Sequence, residues 1–174
     1  MKKIYIIQMH TKTIPSKIIR IFTRYKYSHV AISFNRNCDV TYSFGRTNLY
    51  SILNAGFVME TKSGKFFKKF KDTKCRIYEL EVTNEQYNDL VRIIKYIKKN
   101  KDNYSYDYLG IILRYLKIPV TFQNKYVCSY FIAQLLEEAN IYNFEKETFN
   151  VRPKDFEKIN GFNLIYTGKY LSYR

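Results

Sequence analysis

Residues 27–46 read YSHVAISF, NRNCD and VTYSFGR, two alternating runs separated by five mostly polar residues. Side chains along a strand point to opposite faces with a period of two. Val30, Ile32 and Phe34 therefore share one face, with His29, Ala31 and Ser33 on the other. In the second run Tyr42 and Phe44 share a face, with Thr41, Ser43 and Gly45 opposite. A link this short returns the chain only as an antiparallel hairpin. A turn centred on Arg36 and Asn37 sets Ala31 against Ser43, and places Ser43 diagonally beside His29. The fold must contain this hairpin and must cover its Val30 face with apolar mass.

The rest of the chain supplies that cover. Lys3–Met9 reads as a strand, and Ile14–Arg24 as a short helix with Pro15 near its start, where a missing N–H does no harm. Arg46–Gly56 reads as an irregular excursion, Phe57–Glu60 as a short strand and Cys75–Val82 as another strand. Thr83–Lys99 is the clearest helix. Thr83 and Gln86 form a capping box, and Tyr87, Leu90, Val91, Ile94 and Ile97 fall on one stripe. Ser105–Leu116 and Tyr126–Ala139 read as further helices, the second with Phe131, Ile132, Leu135 and Leu136 inward and Asn140 as its C-cap. Pro153–Ile159 suits a short helix and Asn163–Leu171 a last strand. Strands with helices grouped between them specify an α+β domain, a central antiparallel sheet packed against helices. The 174 residues carry no repeat or low-complexity linker and suit a single domain over 1–174.

Thirty Lys and Arg face fifteen Asp and Glu, a net charge of +15. Such a field favours anionic partners: nucleic acid, acidic polymers or lipid headgroups. The lysines are spread along the chain, and Lys, Ile, Asn, Tyr and Phe are all abundant, as in A+T-rich coding. A nucleic-acid role is therefore not the expected one. The densest run, Lys62–Lys74, interleaves Phe66, Phe67 and Phe70 with lysines. Base stacking suits that pattern, but an edge strand guarded by lysines is the expected structure. The opening MKKIYIIQMH is interrupted by Gln8, His10 and Lys12 too early for a signal peptide. No stretch approaches the ~20 apolar residues of a membrane span, so the expectation is a cytoplasmic protein.

Three cysteines, Cys38, Cys75 and Cys128, lie far apart, with no CxxC pair and only two histidines in the chain. Neither a disulfide framework nor a metal site is expected, and no cofactor. Cys128 opens the helix CSYFIAQLLEEAN. Unsatisfied N–H groups there favour a thiolate and can hold an oxyanion. Taken alone, a cysteine at this position is just as well a small buried hydrophobe. His29, on the hairpin face away from its three bulky apolar residues, supplies the base of a minimal thiol dyad. Ser43 is the candidate third group that holds the imidazole, with Glu60 the carboxylate alternative. His10 is the only other imidazole able to replace His29. Tyr126 could donate to an oxyanion, although tyrosine abundance favours core packing. Cys38, in the turn, and Cys75, in a strand, read as structural.

The order SHVAISF, YSFGR, AGFVMETKSG and then a helix opening CSYFIAQLLEEANI resembles the circularly permuted papain-like hydrolases. These include NlpC-type peptidases, YiiX-like proteins and the lecithin:retinol acyltransferase group. In the permuted branch the histidine strand precedes the cysteine helix, as His29 precedes Cys128. The resemblance implies a papain-like permuted fold, with His29 as base, Cys128 as nucleophile and the third polar residue at Ser43. YiiX-like relatives often carry an acidic residue where Ser43 falls.

The expected function is a thiol-dependent hydrolase or acyltransferase acting on an amide, thioester or ester of a peptide, acyl or lipid-like substrate. The rival expectations are a binding module of the same fold, whose basic surface takes nucleic acid, acidic polymer or anionic lipid, and an acyltransferase working at a membrane surface.

Overall fold

A computed structural model describes residues 1–11, 25–51 and 54–174. The helix expected over Ile14–Arg24 lies outside the described residues. The chain is α+β. β1 (Lys2–His10), β2 (His29–Ser33), β3 (Val40–Arg46), β4 (Ala55–Thr61), β5 (Lys74–Val82) and β8 (Asn163–Lys169) form one sheet in the order β4-β3-β2-β1-β5-β8. Every pairing in it is antiparallel.

β1 lies inside the sheet, and Ile4 to Met9 are buried without a break. A strand with both faces covered favours a near-continuous apolar run rather than alternation, and the one polar residue within it, Gln8, donates to the Pro153 carbonyl at 2.6 Å. Ile4 and Ile6 point into the larger core, while Tyr5, Ile7 and Met9 point into a second core on the opposite face. The hairpin has the expected register: Ile32 pairs with Tyr42, which sets Ala31 against Ser43.

The larger core is closed by α2 (Asn84–Lys99) and α4 (Cys128–Glu138). The capping box of Thr83 and Gln86 forms in full, and Leu90, Ile94 and Ile97 are the buried residues of α2. In α4, Phe131, Ile132, Leu135 and Leu136 are at most 2% exposed. Each such side chain contributes about 1.5–3 kcal/mol of hydrophobic burial. Phe44 of β3 packs on Phe131, with ring centroids 4.9 Å apart, and on Tyr126 at 5.1 Å. These contacts hold the start of α4 against the end of the hairpin.

Two expectations need correction. Lys65–Lys69 forms a short helix, α1, where a lysine-guarded edge strand was expected. Phe67 is its buried residue and packs on Tyr170, at 4.5 Å between centroids, in the second core. Ser105–Leu116 is not one helix. Ser105–Tyr106 is β6, paired in parallel with β7 (Lys125–Tyr126), and α3 begins at Tyr108 and runs to Tyr115. Asp107 caps it, accepting a hydrogen bond from the Gly110 N–H at 2.9 Å, and pairs with Arg114. The short helix expected at Pro153 forms as a 3₁₀ helix, Pro153–Lys158.

Candidate active site around Cys128

Cys128 is the first residue of α4, after Val127 in extended conformation. The Val127 side chain makes no cap, so the N–H groups of the first turn remain available to another acceptor. The Cys128 sulfur is the acceptor nearest them, and the N–H groups of Cys128 and Ser129 favour its ionisation.

One further donor reaches the sulfur because of how the hairpin ends. Ile32 and Tyr42 are the one pair formed between β2 and β3. Beyond them the Ser43 hydroxyl takes the Val30 carbonyl, donating to it at 2.6 Å. The Val30 N–H, released from the ladder, is directed at the Cys128 sulfur, and the thiol lies 4.0 Å from the Ser28 carbonyl. The fourth donor is the Tyr106 hydroxyl from β6. Four donors around one sulfur make a site that stabilises negative charge.

Burial still dominates. Cys128 is 3% exposed, and desolvation holds its thiol above the usual range against the pull of those donors. The resting group is therefore S–H at neutral pH, and the thiolate forms only when a base removes the proton. Cys38 and Cys75 are both fully buried, with their thiols pushed up to about 12 by desolvation. Neither lies at a helix start. The free thiol of Cys38 donates to the Arg36 carbonyl at 3.6 Å.

His29 begins β2, opposite Gly45. Its Cε1 atom and Val58 Cγ2 each lie 3.6 Å from where a Cβ on Gly45 would stand. The ring thus rests against bare glycine backbone on the face of the sheet away from α4. Desolvation pushes the imidazole down to about 4, so it is neutral and able to accept a proton at pH 7. Among the described residues no hydrogen bond joins His29 to Cys128. The two are linked through the strand: the sulfur meets the backbone of Ser28 and Val30, the residues on either side of His29.

The other candidates separate clearly. Ser43 commits its proton to the Val30 carbonyl, so its part in the site is to hold the strand gap open. Glu60 lies two residues beyond Val58 on the His29 face. Desolvation pushes its carboxyl up to about 7, and Arg46 is the charge that acts on it. His10 ends β1 one residue past Met9, the partner of His29, and alternation puts it on the α4 face. Tyr126 packs against Phe44 and Tyr130 as a core aromatic. Tyr106 is the contributor that sequence reading missed. Its position depends on the β6–β7 pairing, which has no local signature. No group of three His, Cys, Asp or Glu able to hold a metal occurs among the described residues. No described helix is long and apolar enough to cross a membrane.

Comparison with protein-family models, with curated proteins and with solved structures found no match.

Proposed function

We propose that the protein is a thiol-dependent hydrolase or acyltransferase acting on an amide, thioester or ester, with Cys128 as nucleophile. The observation that carries this reading is the convergence of the Tyr106 hydroxyl and the Val30, Ser129 and Cys128 N–H groups on one thiol at a helix start. A buried structural cysteine needs no such set of donors. An acyl-transfer site does, because negative charge appears first on sulfur and then on the carbonyl oxygen.

In this mechanism His29 takes the Cys128 proton, and the sulfur attacks the carbonyl carbon. The oxyanion is held by the helix N–H groups and the Tyr106 hydroxyl. The leaving group departs with the proton from His29, and water or another acceptor then releases the acyl group. His29 faces Gly45 in the resting state, so proton transfer requires its ring to turn toward the gap between β2 and β3. The chain order of histidine strand and cysteine helix, on an antiparallel sheet, supports the permuted papain-like arrangement. A cytoplasmic location is part of the same proposal.

One observation favours the rival reading, a binding module with a vestigial thiol: the lack of a His29–Cys128 hydrogen bond among the described residues. Acylation of Cys128 separates the two. The enzyme reading expects an activated ester to label Cys128 at a rate that falls strongly in His29→Asn and is unchanged in His10→Asn. The reverse pattern makes His10 the base. No labelling, with salt-sensitive binding of an anionic polymer, makes the protein a binding module.

A further inference from the structure

A cleft of about 620 Å³ is lined by residues of β3 and β4, by the segments that follow them and by Lys101. Val58 lines this cleft and flanks Gly45 together with the His29 ring, so the cleft adjoins the proposed base. Its cationic residues are Arg46, Lys65 and Lys101, and Lys69 stands 4.3 Å over the ring of Tyr50, another lining residue. Its one acidic residue is Glu60.

Arg46 is the unusual member. Its guanidinium sits 5.6 Å from the Phe70 ring centroid, yet its Nη2 atom is enclosed and has no hydrogen-bond partner among the described residues. Arg46 and Glu60 share the cleft without forming a salt bridge among the described residues, and burial keeps Glu60 from ionising fully at neutral pH. An enclosed guanidinium with an empty arm is costly unless an acceptor completes it. Arginine presents paired donors that match planar carboxylate and phosphate oxygens. The rim adds neutral hydrogen-bonding groups, Thr47, Asn48 and Thr61.

We propose that this cleft is the substrate groove of the Cys128 site and that Arg46 receives an oxyanion, a carboxylate or phosphate, carried by the acyl substrate. The anion site stands on its own geometry, and its assignment to substrate rests on the thiol-enzyme reading above. The substrate class that follows is an acyl compound bearing an anionic group on the side of the scissile carbonyl that faces His29.

Inorganic phosphate is the probe. It should raise the melting temperature of the wild-type protein and of Cys128→Ser alike. In Arg46→Gln its apparent affinity should fall by roughly tenfold or more, while Lys154→Gln, a change outside the cleft, should leave it unaltered. Parallel titrations with glycerol 3-phosphate and succinate identify the anion: tighter binding of the first assigns phosphate, of the second carboxylate. Should Arg46→Gln fail to fold, phenylglyoxal modification of the wild-type protein gives the same answer, since phosphate should protect Arg46 from the reagent. Equal phosphate affinity in wild type and Arg46→Gln, or modification of Arg46 unaffected by phosphate, overturns the proposal. Protection of Arg46 in a protein whose Cys128 proves unreactive keeps the anion site and removes its enzymatic role. A reactive Cys128 with an unprotected Arg46 does the opposite.

Discussion

Glu60→Gln isolates a cost that the fold carries beside the proposed anion site. The Glu60 carboxyl ionises at about 7 in the folded protein, raised by burial and only partly relieved by Arg46. In the unfolded chain a glutamate ionises near the ordinary value of about 4.3. Between these two pH values the folded state binds more protons than the unfolded state. Stability from this residue is therefore present below about pH 4.5 and is lost as pH rises through 7. A pKa difference of one between the two states corresponds to about 1.4 kcal/mol. The gap at Glu60 therefore amounts to about 4 kcal/mol, which solvent screening of a half-buried side chain reduces to about 2. Glutamine keeps the shape and cannot ionise. Glu60→Gln should match wild type in urea denaturation at pH 4 and exceed it by about 2 kcal/mol at pH 8. For a chain of this length that corresponds to roughly 4–8 °C in melting temperature. An equal difference at both pH values, or a wild type that is the more stable at pH 8, refutes the reasoning.

Tyr106→Phe removes one of the four donors at the Cys128 sulfur while keeping the ring, so turnover and thiol alkylation should both slow, turnover by on the order of 10²-fold, with the circular dichroism spectrum unchanged. Ser43→Ala deprives the buried Val30 carbonyl of its partner and should cost about 1–3 kcal/mol in chemical denaturation. Cys128→Ser keeps a polar atom at the helix start and should hold the melting temperature close to wild type while abolishing turnover; a loss of several degrees indicates a packing role instead. His29 is held down to about 4, so the unfolded chain takes up its proton first as pH falls below about 6.5, and His29→Asn should remove part of the acid-induced loss of stability between pH 6.5 and 4.

The hairpin and α2 were legible because local rules decide them. Alternation over residues 27–34 fixed which side chains share a face, and the short turn fixed Ala31 against Ser43. The capping box of Thr83 and Gln86 is likewise written within four residues. The helix read over Tyr126–Ala139 followed from an apolar stripe at helical spacing, and it starts two residues later, at Cys128, because Tyr126 is taken into β7. What escaped is decided by tertiary contacts. Lys65–Lys69 shows lysines on a surface piece, and what makes it helical is the insertion of Phe67 beside Tyr170, from the far end of the chain. The strand at Ser105–Tyr106 exists through pairing with Lys125–Tyr126, and that pairing is what carries Tyr106 to the thiol. Asp107 as a helix cap was a local signal that a longer helix reading passed over. The separation of β2 from β3 after Ile32 and Tyr42, which frees the Val30 N–H, has no sequence signature, since Ser43 fits a regular strand equally well.

The central claim is that Cys128 is a poised nucleophile rather than a packed thiol. Native protein exposed to limiting iodoacetamide near neutral pH, quenched over a time course and mapped by mass spectrometry, compares its three cysteines within one molecule. All three thiols are buried and raised by desolvation, but at Cys128 hydrogen-bond donors from Val30, Ser129 and Tyr106 oppose that rise, whereas Cys38 and Cys75 are pushed up to about 12. The expected result is alkylation of Cys128 well ahead of both, at a rate that falls in His29→Asn and in Tyr106→Phe. Alkylation of Cys38 or Cys75 as fast as Cys128 in the folded protein contradicts the account.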